Sequence, residues 1–294
     1  MKILVTGCNG QVGRSLTRLL AQRDAMVVIA ADRDTLDITD NSAVAAFILA
    51  NVPDIIINAA AYTAVDKAED EVELAFAINS DGPKLIALAA QQIGATLLHI
   101  STDYVFAGDK QGLYQESDSP APQSVYGESK LAGERAVMQS CDKHIIMRTA
   151  WVFSEHGNNF VKTMLRLAKT HDSLSIVGDQ FGGPTYAGDI ASALLTIVDA
   201  VAAQEPIEYG VYHYSGLPHV SWYEFADAIF DIAVNESLIS NKPKLTPIPT
   251  QEYPTPAKRP ANSMLDTAKI TQHFGIEASD WKQVLNTNIH AYKG

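Results

Sequence analysis

Tyr126 and Lys130 stand four residues apart at the start of an apolar-periodic stretch that continues through Leu131, Val137 and Met138. On a helix that spacing puts a phenol and an amine on one face, a turn apart. A phenol has an ordinary pKa of about 10 and is a poor acid or base at neutral pH. A nearby ammonium favours the phenolate and brings that pKa down. A tyrosine tuned in this way gives a proton to a carbonyl oxygen as hydride arrives at carbon. Thr102 ends the run Thr96-Leu-Leu-His-Ile100-Ser101, where its hydroxyl can hydrogen-bond the same oxygen. The Tyr-x-x-x-Lys spacing is common by chance, so it carries chemistry only where other elements bring a hydride donor to it.

The N-terminus supplies such an element. Ile3, Leu4 and Val5 form a short apolar run, Gly7, Gly10 and Gly13 follow, and Val12, Leu16, Leu19 and Leu20 then recur at helical spacing. Strand, glycine turn and helix make the context in which such glycines bind a nucleotide. Gly7 allows the tight turn, Gly10 lets a diphosphate approach the backbone, and Gly13 lets helix and strand pack closely. The helix start holds the diphosphate with N–H groups and a positive dipole end. A second apolar run, Val27-Val-Ile-Ala30, leads to Asp32, at about the spacing expected for an acid on the ribose. Asp32 favours the free hydroxyls of NADH, and Arg33 beside it can receive the 2′-phosphate of NADPH. No Gly-Lys-Ser/Thr follows, which excludes a P-loop.

Further apolar runs at Asp54–Asn58, Thr96–Ile100 and Ile145–Met147 alternate with helical patterns, including one expected to run unbroken from Glu71 to Gln92. This alternation predicts an α/β fold with a doubly wound parallel sheet, whose ligands bind beyond the C-terminal strand ends. Leu174-Ser-Ile-Val177 reads as a sixth strand. Residues 1–150 are expected to form a dinucleotide-binding domain, with return segments near 172–198 and 243–260. Residues 151–294 are expected to be mostly a smaller, mixed α/β substrate domain. Six prolines make 243–260 a segment without a long helix.

The formal net charge of −12 argues against a nucleic-acid partner. Two cysteines form no disulfide framework, and the scattered histidines suggest no metal site. Cys8 reads either as a low-pKa thiol near a helix start or as a filler of the glycine turn. No apolar run is long enough to span a membrane, so the expectation is a cytoplasmic protein, monomeric or homodimeric. Asp103 reads as a cap or a substrate contact, and Trp151 as a stacking platform or a core residue.

Several longer motifs identify the chain as resembling the extended short-chain dehydrogenase/reductases, and within them the reductases of dTDP-rhamnose synthesis. They include Asn58-Ala-Ala-Ala, Thr63-Ala-Val-Asp66-Lys67-Ala-Glu69, His99-Ile-Ser-Thr102-Asp103-Tyr-Val-Phe106 and Tyr126-Gly-Glu-Ser-Lys130-Leu-Ala-Gly-Glu134. Arg148-Thr-Ala-Trp151-Val, Asp179-Gln-Phe-Gly-Gly-Pro-Thr185 and Arg259-Pro-Ala-Asn262-Ser263 complete the set, which runs nearly end to end. The resemblance implies a Rossmann sheet and NAD(P)H-dependent reduction of the C4 ketone of a dTDP-4-dehydro sugar. It implies catalytic roles for Thr102, Tyr126 and Lys130. A cofactor lining of Gly10, Gln11, Val12, Asp32, Asp37, Ile38, Ala61, Tyr62 and Thr63 follows from it too. Substrate contacts from Thr102, Asp103, Tyr126, Trp151 and Arg259 are also implied. Some members bind Mg²⁺ through carboxylates at a dimer contact. Here Arg14-Ser15 and Gly188 stand at those positions, which speaks against a metal. Two other activities share the scaffold: a non-catalytic nucleotide-binding regulatory subunit and a sugar-nucleotide epimerase.

Overall fold

The computed structural model describes residues 1–292. Its central sheet has six parallel strands: β1 (Lys2–Thr6), β2 (Val27–Ala31), β3 (Ile55–Asn58), β4 (Thr96–Thr102), β5 (His144–Thr149) and β6 (Gly210–His213). Their spatial order is β6-β5-β4-β3-β1-β2. The inner strands are apolar on both faces because helices cover both. On one face α1 (Gln11–Leu20) and α6 (Ala187–Ala202) pack over Ile3, Val5, Ile57 and Leu98. On the other, α2 (Asn41–Asn51), α3 (Gly82–Ile93) and α4 (Val125–Ser140) cover Leu4, Ile56, Leu97 and Ile146. Asp40 caps α2, accepting from the Ala43 N–H at 3.0 Å.

A second core lies beside the sheet. It gathers α5 (Phe160–Ala168), α7 (Trp222–Asn235) and α8 (Trp281–Asn288) around Phe153, Phe225, Phe230 and Trp281. Ser221 and Glu224 form a capping box that starts α7.

Two expectations are corrected. Ser173–Val177 is a strand, but it pairs with Lys244–Ile248 in a separate two-stranded sheet packed near α7. The sixth place in the main sheet goes to Gly210–His213, so the chain returns to the sheet through α6 and β6. Of the return segments expected near 172–198 and 243–260, the first is met in part, by α6, while 173–177 and 244–248 pair with each other away from the sheet. The choice is made by pairing between distant segments, which local pattern does not encode. The second correction concerns the helix expected over Glu71–Gln92. It is broken into Val72–Phe76, a π turn at Ala77–Asp81, and α3. Pro83 has no N–H to return to the Asn79 carbonyl, which removes an α-helical bond where the register widens.

Candidate active site

A cleft of about 1030 Å³ opens beyond the C-terminal ends of the strands. Gly10, Gln11, Val12, Ala61, Thr63, Thr102, Asp103, Tyr126, Lys130, Trp151 and Arg259 all line it, so eleven of the predicted residues converge on one space. A second cavity, about 530 Å³, is lined by Asp189, Tyr214, Asp280 and Thr287 among others and shares no residue with the first.

The glycine turn is built as its spacing predicts. Gly7 has φ +67°, and a Cβ there would lie 2.6 Å from the Ala60 backbone. A Cβ on Gly13 would lie 2.2 Å from the Gly7 carbonyl oxygen. Gly7 and Gly13 thus shape the turn from behind while Gly10, Gln11 and Val12 face the cleft. No side chain caps α1 and no acidic residue occupies its first turn. Its first N–H groups remain for an anion, so the turn fits a dinucleotide diphosphate. Gln11 also spans the cleft: its Oε1 accepts from Ser154 Oγ at 2.9 Å and Asn159 Nδ2 at 3.1 Å.

The expected ribose end is arranged differently. Asp32 accepts from the Thr35 N–H and hydroxyl at 2.9 and 2.7 Å and from Asn9 Nδ2 at 2.9 Å. These bonds hold its carboxyl below the usual range and fasten the loop after β2 to the glycine turn. Asp37 is satisfied locally, accepting from the N–H and hydroxyl of Thr39. Arg33 is exposed, and the Ile38 side chain is buried against Gly82. Asp32, Arg33, Asp37 and Ile38 lie outside the cleft lining. Tyr62 does too, its hydroxyl donating to Glu71 Oε2 at 2.7 Å. The Tyr62 backbone is clamped by the π turn. Asn79 Oδ1 accepts its N–H at 2.8 Å, while Asn79 Nδ2 donates to its carbonyl and to Ser129 on α4.

α4 presents the chemistry. Ser124 caps it by accepting from the Gly127 N–H, and Gly127 allows close approach, since a Cβ there would lie 2.3 Å from the Tyr104 carbonyl oxygen. Tyr126 and Lys130 are both buried at the cleft wall. Lys130 Nζ donates to the Ile100 carbonyl at 2.8 Å, and burial lowers its pKa to about 8 against the opposing charge of Glu134. Burial pushes the Tyr126 phenol above its ordinary value, with the Thr102 hydroxyl opposing and Asp103 adding to the rise. The expectation that Lys130 brings this phenol down is therefore corrected: desolvation dominates, and Tyr126 is held protonated. Cys8 is likewise raised, by burial and then by Asp32, which removes the low-pKa reading.

The Thr102 hydroxyl donates to Asp103 Oδ1 at 3.0 Å and accepts from the Tyr104 N–H at 3.2 Å. Asp103 is buried, and desolvation raises its pKa to about 6. Ser263 lies close enough to oppose that rise, yet Asp103 Oδ2 and Ser263 Oγ both lack a partner of good hydrogen-bond geometry. Arg259 binds Asp66 Oδ2 at 2.6 Å and the Tyr104 hydroxyl at 3.2 Å, which sets a guanidinium at the cleft mouth. Trp151 adopts φ +50° and stacks on Trp222, with ring centroids 3.5 Å apart. Trp222, Phe160, Tyr253 and Ser263 also line the cleft. Ser263 closes one of the motifs quoted above, but the residue types around Trp222, Phe160 and Tyr253 gave no chemical signal, and only the tertiary fold brings them here.

Among the described residues no group of three or more His, Cys, Asp or Glu side chains is placed to hold a metal ion. No described helix is long and apolar enough to cross a membrane.

The RmlD substrate binding domain family matches residues 1–293. A dTDP-4-dehydrorhamnose reductase of Aggregatibacter actinomycetemcomitans is 52% identical over 291 residues, covering 99% of each chain. A solved dTDP-4-dehydrorhamnose reductase from Clostridium acetobutylicum superposes with a TM-score of 0.92 at 42% identity, covering 100% of both chains. One from Bacillus anthracis, in complex with NADP, gives 0.90 at 38% identity over 98% of each. With a relative this similar along its whole length and a parallel sheet of the same plan, the chain belongs to the dTDP-4-dehydrorhamnose reductase family of oxidoreductases.

Proposed function

We propose that this protein reduces the C4 ketone of dTDP-4-dehydro-L-rhamnose to dTDP-L-rhamnose with NAD(P)H. Supporting this reading is the meeting, in one cleft, of the uncapped start of α1 with Tyr126, Lys130 and Thr102. NAD(P)H would supply the hydride when bound, and the N–H groups of Gln11 and Val12 at the uncapped start of α1 would hold its diphosphate. Tyr126, protonated at neutral pH, gives its proton to the ketone oxygen, which becomes the product hydroxyl. Lys130, mostly charged below its pKa of about 8, offsets part of the desolvation of the phenolate left behind without outweighing it. Thr102 holds the ketone oxygen by turning its one hydroxyl proton from Asp103 Oδ1 to the substrate. Arg259 carries the charge that a sugar-nucleotide diphosphate requires. Trp151, backed by Trp222, offers a flat apolar face. In this reading residues 1–150 with α6 and β6 bind the dinucleotide, and most of 151–294 binds the sugar nucleotide.

Replacing Tyr126 by Phe removes the proton donor and is expected to lower kcat by about 10²–10⁴. Turnover is followed as loss of NADPH absorbance with the dTDP-4-keto sugar. Undiminished turnover in that variant would reject the assignment. Tight NADPH binding without absorbance loss in the wild type would favour the regulatory alternative. Epimerised product without net NADPH consumption would favour an epimerase.

A further inference from the structure

Deep in the cleft, four polar atoms are buried without partners: Ser101 Oγ, Asp103 Oδ2, Thr149 Oγ1 and Ser263 Oγ. All four residues line the same space. An unpaired buried polar atom is costly to leave so, and the convergence of four marks a place shaped for something polar. Three of them sit at the ends of β4 and β5 or just beyond, where Ser101 and Thr102 lie in register with Arg148 and Thr149. Ser263 arrives from a distant part of the chain, on the short strand Asn262–Ser263 that pairs with Phe181–Gly182.

Its backbone is held firmly. The Asn262 N–H donates to the Gly108 carbonyl at 2.9 Å. Asn262 Nδ2 donates to the carbonyls of Lys110 and Gly112, each at 2.7 Å, and Asn262 Oδ1 accepts from the Met264 N–H. The serine is thus pinned on both sides, while its hydroxyl lies near enough to Asp103 to act on that carboxyl yet has no partner of good hydrogen-bond geometry.

We propose that Asp103 and Ser263 form a hydroxyl-reading pair that binds the hydroxyl on the ring carbon next to the ketone of the bound sugar. The proposal rests on the keto-sugar reductase reading. With the ketone oxygen at Tyr126 and Thr102, the neighbouring hydroxyl lies about one hydrogen-bond length away. Thr102 Oγ1 holds the other oxygen of the same carboxyl, Oδ1, at 3.0 Å, which keeps Asp103 beside the ketone position. The sugar hydroxyl donates to Asp103 Oδ2 and accepts from Ser263 Oγ, which satisfies both orphaned atoms. A sugar lacking that hydroxyl leaves them unpaired, and sites of this kind discriminate strongly against the deoxy analogue. Ser263 is in this sense a specificity residue, separate from the proton donor.

The test uses the full chain with NADPH, the 4-keto sugar nucleotide and its analogue lacking the vicinal hydroxyl. Wild type is expected to prefer the hydroxylated substrate in kcat/KM by about 10²-fold or more. Ser263→Ala is expected to lose about tenfold on the hydroxylated substrate, largely in KM, and little on the analogue. Ser263→Thr, which keeps the hydroxyl, restores the preference, and the KM for NADPH stays unchanged in both. Equal losses on the two substrates, or no loss on either, overturn the proposal while leaving the reductase reading intact. Absence of turnover by the wild type on any 4-keto sugar nucleotide overturns both.

Discussion

The sheet side of the cleft and its outer wall hold their residues by different means. On the sheet side, position follows from backbone: a turn only glycines can make, parallel strand ends, and one helix carrying Tyr126 and Lys130. Polar groups there are buried and coupled, as in the bidentate pair of Arg148 with Glu134, at 2.8 and 2.6 Å with both side chains almost fully buried. On the outer wall, two-residue strands and stacked rings do the positioning: Trp151 on Trp222, and Ser263 beside Gly182. A Cβ on Gly182 would lie 2.6 Å from the Trp151 ring, so even this wall depends on one bare backbone position. The sheet side is rigid and specified locally. The wall is assembled from segments far apart in the chain and is the natural place for substrate preference to vary.

The contrast can be broken by mutation. Glu134 follows Lys130 by one helical turn and ties α4 to β5, so Glu134→Ala strands a buried guanidinium. That change is expected to lower stability by about 3–5 kcal/mol in denaturant unfolding. A loss below about 1 kcal/mol would mean that the sheet side is no more tightly coupled than a surface.

Asp103 lies where the two sides meet, and it titrates. Its pKa is raised from 3.8 to about 6 by burial, so folding favours its protonated form. This group's contribution is fully present below pH 3.8 and is lost as pH rises through about 6. It amounts to about 3 kcal/mol. Carboxylates with lowered pKa, such as Asp118 and Glu208, act in the opposite sense. The measurement is therefore the difference between wild type and Asp103→Asn. The variant's stability relative to wild type should increase from pH 4 to pH 7, and a flat difference would contradict the burial argument. Tyr104 and Tyr126 also face this carboxyl, and burial raises both phenols above their ordinary values, away from that range.

The smallest effect is expected on the wall. Trp222→Leu keeps apolar volume but removes the ring stacked on Trp151, with an expected loss of about 0.5–1.5 kcal/mol beyond area burial. The KM for sugar nucleotide should rise while the KM for NADPH does not. A change in both would show that the wall is coupled to the cofactor turn more strongly than its contacts suggest.

The same division governs how much could be read from sequence. The glycine turn, five of the six sheet strands and the Tyr126–Lys130 helix were legible because each is written in consecutive residues. The strand at Gly210–His213 was not, since Leu174–Val177 is equally apolar and only pairing decides between them. The Asp32 assignment met a loop whose own hydrogen bonds use that carboxylate. Ser263 belonged to a recognised motif, but nothing in its neighbours announces that Asn262 anchors the backbone and leaves the serine hydroxyl facing Asp103.

Gln11 has one further consequence. The residue that opens the nucleotide-binding helix is also the acceptor for Ser154 and Asn159, and Asn159 caps α5 by accepting from the Lys162 N–H. A single amide thus ties the glycine turn at the start of α1 to the first turn of a helix in the second core. Neither the glycine turn nor the start of α5 can shift without breaking the bonds that this one amide accepts.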